Sequence, residues 1–131
     1  MSKPRDYPYF RSYELACKCS YEDCPKHGMD EDFMHHIAAI REKLPFAFIV
    51  ASAYRSPLHN DDVSTTGEIG PHTTGQAMDI RINGVEARTL LNAAVKQGFE
   101  GIGIKQVGAR GRRFIHLDMM KRPAGQVIWS Y

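Results

Sequence analysis

Apolar residues recur with a helical period in two segments of the chain. The first segment follows Asp30, a suitable N-cap, and ends before Pro45, which cannot continue a helix. Its apolar positions are Phe33, Ile37, Ile40 and Leu44. The second segment covers residues 85–97 and ends at Gly98, a natural C-cap. The pattern predicts two amphipathic helices, and we expect the second to cover a sheet.

Shorter apolar stretches predict the strands of that sheet. Residues 47–52 are apolar as far as Ala51, which predicts a buried strand. Further strands are predicted at residues 77–82, 101–105, 114–119 and 126–131. Residues 61–71 are rich in Asp, Ser, Thr and Gly, which predicts a surface loop long enough to carry function.

Two of the predicted strands have one apolar and one polar face. The apolar faces consist of Met78, Ile80, Ile82, Ile115, Leu117 and Met119. Because successive side chains of a strand point to opposite faces, Asp79 lies on the polar face of its strand. The same alternation places His116 and Asp118 together on the polar face of theirs.

Length and composition exclude several classes of protein. The 131 residues suffice for one domain, so we expect a single unit over residues 1–131, in which residues 1–29 form an N-terminal extension. With 43% hydrophobic and 24% charged residues, the chain is typical of soluble globular proteins. A net charge of +2 is too small for a dedicated nucleic-acid binder, so we expect no nucleic-acid partner. We also expect the chain to be a monomer.

The chain carries no predicted membrane or export segment. Its longest apolar run, residues 45–51, has the length of a strand and is too short to span a bilayer, so we expect no membrane insertion. Residues 1–11 lack the apolar region of a secretory signal peptide, which predicts synthesis in the cytoplasm.

Two histidines and an aspartate could provide a metal site. Extended chain would separate His72 and Asp79 by about 23 Å, so the two can share a metal only if the chain turns back at Gly75. With His116 they would give zinc three protein ligands and one open position, the arrangement of catalytic sites. The alternative from the residues alone is ordinary polar loop chemistry.

A second group of potential ligands precedes the first predicted helix. It consists of Cys17, Cys19, Cys24 and His27, four ligands that could close a structural zinc site. Three cysteines cannot pair completely in disulfides, which favours free thiols or metal. The single residue between the first two cysteines differs from the common two-residue spacing, so reduced cysteines in a loop remain the alternative.

Three motifs in order resemble peptidase family M15, the zinc D-Ala-D-Ala carboxypeptidase-like and phage endolysin-type peptidases. They are Ser-Ala-Tyr-Arg-Ser-Pro-Leu-His-Asn at residues 52–60, His-Thr-Thr-Gly-Gln-Ala-Met-Asp at 72–79 and Phe-Ile-His-Leu-Asp at 114–118. The resemblance implies a hedgehog-like α+β fold, with helices packed on a central antiparallel sheet. It also implies that His72, Asp79 and His116 bind catalytic zinc.

The first motif implies a substrate-binding role for Arg55. Its planar guanidinium suits a substrate carboxylate or carbonyl, and the alternative is a surface ion pair. Tyr54 and Asn60 belong to the same motif and are further candidate substrate-binding residues that would line the cleft. The alternative is that they only shape its turn.

The position of the general base differs from that in many relatives of the resembled family. Those relatives carry an acid three residues before the last zinc histidine. Here that position is Arg113. Asp118 is therefore the candidate base for activating the attacking water. Its alternative role is to orient His116 through the second ring nitrogen.

From these motifs we expect a zinc metallopeptidase that hydrolyses an amide bond in peptidoglycan stem peptides, next to a D-amino acid. The activity would be of the D-Ala-D-Ala carboxypeptidase or L-Ala-D-Glu endopeptidase class. Without a signal peptide, the protein would act on the cell wall after release, or as part of a bacteriophage virion. The main alternative is a non-catalytic zinc-containing module that binds the wall or a protein on the same fold.

Overall fold

A five-stranded mixed sheet forms the centre of the molecule, in a computed structural model that describes residues 6–131. Its strands are β1 (Ile49–Ser52), β2 (Ala77–Arg81), β3 (Gly101–Lys105), β4 (Phe114–Asp118) and β5 (Val127–Ser130). They lie in the order β1-β2-β4-β3-β5. The predicted α+β class is confirmed.

Three of the four strand pairings are antiparallel, as expected, and the pairing of β3 with β5 is parallel. Strand β4 ends where Asp118 pairs with Gly101, the first residue of β3. The short connection after β4 stays at that end of the sheet, so β5 starts with Val127 beside Gly101. It therefore runs in the direction of β3.

Four helices and two 3-10 turns complete the fold. The helices are α1 (Ser12–Leu15), α2 (Glu31–Lys43), α3 (Pro57–Val63) and α4 (Gly84–Gln97), and the turns cover Pro71–Thr74 and Arg110–Arg112. Both predicted amphipathic helices are confirmed. The Asp30 carboxylate accepts the Phe33 N–H at the start of α2, and Gly98 ends α4 with a φ of 84°.

Helix α3 extends into the predicted loop at residues 61–71. The Ser56 hydroxyl caps the helix by accepting the N–H of His59, and Pro57 occupies its first turn. A capping hydroxyl followed by proline is a favourable start for a helix, even in a polar segment.

The hydrophobic core lies between one face of the sheet and helices α2 and α4. The apolar faces predicted for β2 and β4 enter it, and their Ile80 and Leu117 side chains are fully buried. Phe10 and Leu15, from the segment treated above as an extension, belong to the same core. Residues before α2 therefore contribute directly to the packing of the domain.

The prediction of a buried strand at residues 47–52 is wrong for the strand itself. The strand begins at Ile49, whose side chain is 59% exposed, and its other residues are half-buried. The physical reason is its position, because β1 lies at the edge of the sheet and pairs only with β2. Among residues 6–131, no helix is long and apolar enough to cross a membrane.

Candidate active site

His72, Asp79 and His116 converge on the sheet face opposite the core, and we call them the candidate metal triad. His72 Nε2 lies 3.3 Å and His116 Nδ1 lies 2.9 Å from the same oxygen, Asp79 Oδ1. All three side chains are buried, and their potential ligand atoms lie within 4.8 Å of one another. The three residues singled out as metal ligands are thus brought together.

The sheet register and one turn position the candidate metal triad. Asp79 on β2 and His116 on β4 are direct antiparallel partners. His72 lies in the 3-10 turn, which ends at Gly75 with a φ of 75°. A Cβ at Gly75 would lie 2.0 Å from the Gly28 carbonyl oxygen, so both the left-handed backbone and the close approach require glycine. The predicted reversal at Gly75 is present.

Each histidine of the triad directs one ring nitrogen to Asp79 and has the other held by an acceptor. His72 Nδ1 lies 2.7 Å from the carbonyl oxygen of Ala53, and His116 Nε2 lies 2.6 Å from Asp118 Oδ2. Metal-ligating histidines commonly have their second ring nitrogen held by a carbonyl or carboxylate in this way, which fixes the ring orientation.

Asp118 is fully buried on the far side of the His116 ring from Asp79. Arg122 donates from Nη1 and Nη2 to the two carboxylate oxygens, each at 2.9 Å, and the Met120 N–H donates to Oδ1 at 3.1 Å. Burial alone would raise the pKa of Asp118, but hydrogen bonds from His116 and Arg122 lower it to about 2. Of the two roles considered for Asp118, this position favours the orientation of His116.

The same contacts set the charges of the triad. Burial would raise the pKa of Asp79, but hydrogen bonds from His116 and His72 hold it well below its usual range. Burial would lower the pKa of His116, but its hydrogen bonds to Asp118 and Asp79 raise it. Asp79 therefore presents an anionic oxygen between two imidazoles.

The chemistry of this donor set fits a zinc ion. Imidazole nitrogen and carboxylate oxygen are both common zinc ligands, and three protein ligands leave a coordination position for water or substrate. The triad also borders a cleft, so that position is accessible to a substrate.

Arg55 lies beside the triad and is held by its own motif. Its Nε donates to Ser52 Oγ and its Nη1 donates to Asn60 Oδ1, each at 3.1 Å. Its Nη2 lies 3.5 Å from Asp79 Oδ2, and the side chain is 16% exposed. Arg55 thus lines the cleft with a preorganised guanidinium, unlike a residue in a surface ion pair.

Tyr54 and Asn60 are not brought into the lining of the cleft. Asn60 is buried, and its Nδ2 donates to Thr66 Oγ1 and to the Gly67 carbonyl oxygen, each at 2.7 Å. The Tyr54 ring packs against Gly28, where an added Cβ would lie 2.5 Å from a ring carbon. Both residues therefore shape the segment that carries Arg55, and neither lies where the substrate-binding role predicted for them would require.

The cleft beside the candidate metal triad has a volume of about 720 Å³. One wall is aromatic and consists of Phe114, Trp129 and Tyr131. The Trp129 and His116 ring centroids are 5.2 Å apart. Among the described residues that line the cleft, Asp79 is the only one with a carboxylate.

Two glycines of strand β3 make room for side chains above it, Gly103 for Trp129 and Gly101 for the Asp118–Arg122 pair. A Cβ at Gly103 would lie 2.7 Å from atoms of the Trp129 indole. A Cβ at Gly101 would lie 2.5 Å from the Asp118 carboxylate oxygens and 2.7 Å from Arg122 Nη1. The indole and the Asp118–Arg122 pair therefore lie directly over a strand that has no side chains there.

Sequence reasoning missed Arg122 and Trp129. The alternation of Trp129 and Tyr131 in the last strand was a usable indication, because residues two apart share a face. Arg122 had no comparable indication, because it follows β4 in a segment without regular structure.

The sulfur atoms of Cys17, Cys19 and Cys24 also lie within 4.8 Å of one another, and we call these residues the cysteine cluster. His27, proposed above as a fourth ligand, is not part of this group. Burial alone would raise the pKa of Cys19, but hydrogen bonds from Cys24, the Tyr21 backbone and others lower it to about 7.

Comparison with known proteins identifies the family. The model of the family Peptidase M15 matches residues 8–118, which is most of the chain and includes the whole candidate metal triad. The chain therefore belongs to peptidase family M15, which makes it a peptidase of the metallopeptidase type. No curated protein and no solved structure gives a significant match.

Proposed function

We propose that the chain is a zinc-dependent peptidase that hydrolyses an amide bond in the stem peptides of peptidoglycan, next to a D-amino acid. The activity would be of the D-Ala-D-Ala carboxypeptidase or the endolysin type. The observation that carries the proposal is the convergence of His72, Asp79 and His116 beside an open cleft, in a chain of the M15 family.

The candidate metal triad would hold zinc through His72 Nε2, Asp79 and His116 Nδ1. Zinc bound there would supply Lewis-acid polarisation of the scissile carbonyl and would lower the pKa of a water molecule to about 7. The Ala53 carbonyl and the Asp118 carboxylate keep the two imidazoles in their ligating orientations.

Arg55 would bind the carboxylate or a carbonyl of the substrate. Ser52 and Asn60 restrict its side chain, so little conformational entropy is lost when a substrate binds. The aromatic wall of Phe114, Trp129 and Tyr131 would cover the apolar parts of the stem peptide and limit access of bulk water to the cleft.

We assign Asp118 as a positioning residue that acts through His116. Its oxygens are occupied by His116, Arg122 and the Met120 N–H, so it is poorly placed to take a proton from a water in the cleft. An Asp118→Asn variant should then lower zinc affinity as well as turnover, whereas loss of a base would lower turnover at unchanged zinc affinity.

The test is to incubate the zinc-loaded protein with purified peptidoglycan and to identify released fragments by mass spectrometry. Release of D-alanine would indicate a carboxypeptidase, and release of stem peptides an endopeptidase. The His116→Ala variant should release neither, while the matched control His35→Ala, altered at an exposed helix position, should behave as the parent protein.

A non-catalytic wall-binding module is the second candidate. It is favoured by one observation, that within the described part of the chain Asp79 is the only acid lining the cleft and is itself a candidate ligand. Sedimentation of the fully zinc-loaded protein with peptidoglycan, without cleavage of any stem peptide, would support this candidate and contradict the peptidase.

A further inference from the structure

The cysteine cluster lies between the N-terminal segment and the loop that carries Arg55. Cys17 is buried, and Cys19 and Cys24 are half-buried. Three sulfurs within 4.8 Å of one another can all bind one ion, whereas a disulfide would use two of them and leave the third unpaired. Thiolates are soft ligands, and structural zinc is their common partner in tetrahedral sites.

Each sulfur of the cluster also faces an N–H donor. The Ser56 N–H lies 3.3 Å from Cys17 Sγ, the Lys26 N–H lies 3.3 Å from Cys24 Sγ, and Lys26 Nζ lies 3.5 Å from Cys19 Sγ. Hydrogen bonds of this kind stabilise sulfur in its anionic form, which is the form that binds metal.

The backbone conformation of Lys26 allows its N–H and its carbonyl oxygen to bond to two of the cysteines. Its φ is 67°, a left-handed value that a residue with a side chain rarely adopts. In this conformation Lys26 donates its N–H to Cys24, and its carbonyl oxygen accepts the N–H of Cys17 at 2.7 Å. Three thiolates and one Zn²⁺ leave one net negative charge, which the nearby Lys26 ammonium offsets.

We propose that Cys17, Cys19 and Cys24 bind a structural zinc ion, separate from the candidate active site, that fixes the N-terminal segment against residues 53–56. Each thiol that ligates the ion releases its proton to solvent. The thiolates would provide three of the four positions of a tetrahedral site, and a water molecule would take the fourth. This inference goes beyond the proposed peptidase function and does not depend on it.

The position of this site connects it to the candidate metal triad. Ser56, which contacts Cys17, follows Arg55 in the chain, and the Tyr54 N–H donates to the Leu15 carbonyl oxygen at 3.2 Å. Ala53, in the same segment, accepts from His72. An ion that holds the N-terminal segment in place would therefore stabilise the backbone that orients both Arg55 and His72.

The first test measures bound zinc in the full-length protein, purified under reducing conditions and dialysed against zinc-free buffer. The parent protein should retain two equivalents, Cys19→Ser one and His116→Ala one. The matched control His35→Ala should retain two. Cobalt substitution then identifies the ligands, because a thiolate-to-cobalt charge-transfer band should persist in His116→Ala and be absent in Cys19→Ser.

Two outcomes would overturn the proposal. One is a cobalt-loaded parent protein without a thiolate charge-transfer band, and the other is three thiols that react with a thiol reagent equally fast with and without zinc. Both measurements use the parent protein, so they decide the question even if Cys19→Ser fails to fold. Loss of peptidase activity alone bears only on the proposed function, since the cobalt band in His116→Ala reports the cysteine cluster independently.

Discussion

Asp79 and His116 face each other across strands β2 and β4, with Asp79 Oδ1 2.9 Å from His116 Nδ1. Their distance follows from the register of an antiparallel pair, in which opposite side chains of one face are neighbours. His116 also contacts Asp118 through its other nitrogen. One imidazole thus connects the candidate metal position to the buried Asp118 carboxylate and its half-buried partner Arg122.

Replacing Arg122 should weaken zinc binding at a distance. Arg122→Ala leaves the buried Asp118 carboxylate without its bidentate partner, which should cost about 1–3 kcal/mol of stability. The freed carboxylate would no longer fix His116, so zinc affinity of the triad should also fall, by about 10–100-fold. Thermal unfolding and competition with a zinc chelator measure the two effects.

Lys121→Ala is the matched control for Arg122, because the Lys121 side chain is 88% exposed. It should change neither stability nor zinc affinity appreciably. Equal zinc affinity in Arg122→Ala and in the parent protein would contradict a positioning role for the Asp118–Arg122 pair.

The turn at Gly75 should not tolerate a side chain. Gly75→Ala combines a φ of 75° with a Cβ 2.0 Å from the Gly28 carbonyl oxygen, so we expect a loss of at least about 2 kcal/mol. His72 lies in the same turn, and zinc binding should fall as well. Gly111→Ala is the control, because a Cβ there meets no atom within 4 Å. If both variants unfolded at the same denaturant concentration, the strain argument would be wrong.

The metal-free protein should lose stability in acid as Asp118 and Asp79 take up protons, and the contribution of Asp118 can be separated. The pKa of Asp118 is lowered to about 2 in the folded state, against about 4 in an unfolded chain. A carboxyl group whose pKa is lower in the folded state stabilises the fold at pH values above its unfolded-state pKa. This contribution is lost as the pH falls from about 4 to about 2.

Urea unfolding in the presence of a chelator, measured at several pH values from about 6 downward, checks this expectation. Asp118→Asn has no carboxylate to titrate at this position, so its stability should depend less steeply on pH. An unchanged slope in that variant would show that other acids account for the loss.

Trp129 should affect substrate binding more than metal binding. Trp129→Ala removes the indole from the aromatic wall and leaves the three candidate ligands in place, so zinc content should be unchanged. If the wall covers the substrate, KM should rise by about tenfold, since a lost apolar contact of about 1.4 kcal/mol changes affinity by that factor. Ile128→Ala, at a 61% exposed neighbouring position, is the control.

A result in which Trp129→Ala lost zinc but kept its KM would assign the indole to support of His116 rather than to the substrate. Steady-state kinetics on a soluble stem peptide, together with the zinc content of each variant, separates the two cases.

Much of the site could be predicted from local patterns. Strand alternation places Asp79, His116 and Asp118 on the correct face, and Gly75 permits the turn that returns His72 to them. The direction in which Asp118 points could not be predicted, because it depends on Arg122 in an irregular segment. The cysteines could be named from the sequence, but the left-handed backbone of Lys26, which bonds to Cys17 and Cys24, could not be predicted.

The fold was predictable to a similar degree. Helices α2 and α4 follow from periodicity and caps, which act over a few residues. The edge position of β1 and the parallel direction of β5 depend on which strands meet in space. A single sequence carries little information on such long-range pairing.

The two glycines of β3 leave space beneath Trp129 and Arg122, which line the cleft. At Gly101 and Gly103 the strand presents only hydrogen atoms, and the space that side chains would fill holds the Asp118–Arg122 pair and the indole of Trp129. A single added methyl group at either position would displace one of these groups. The positions of Trp129 and Arg122 in the cleft therefore depend on two residues of β3 that have no side chains.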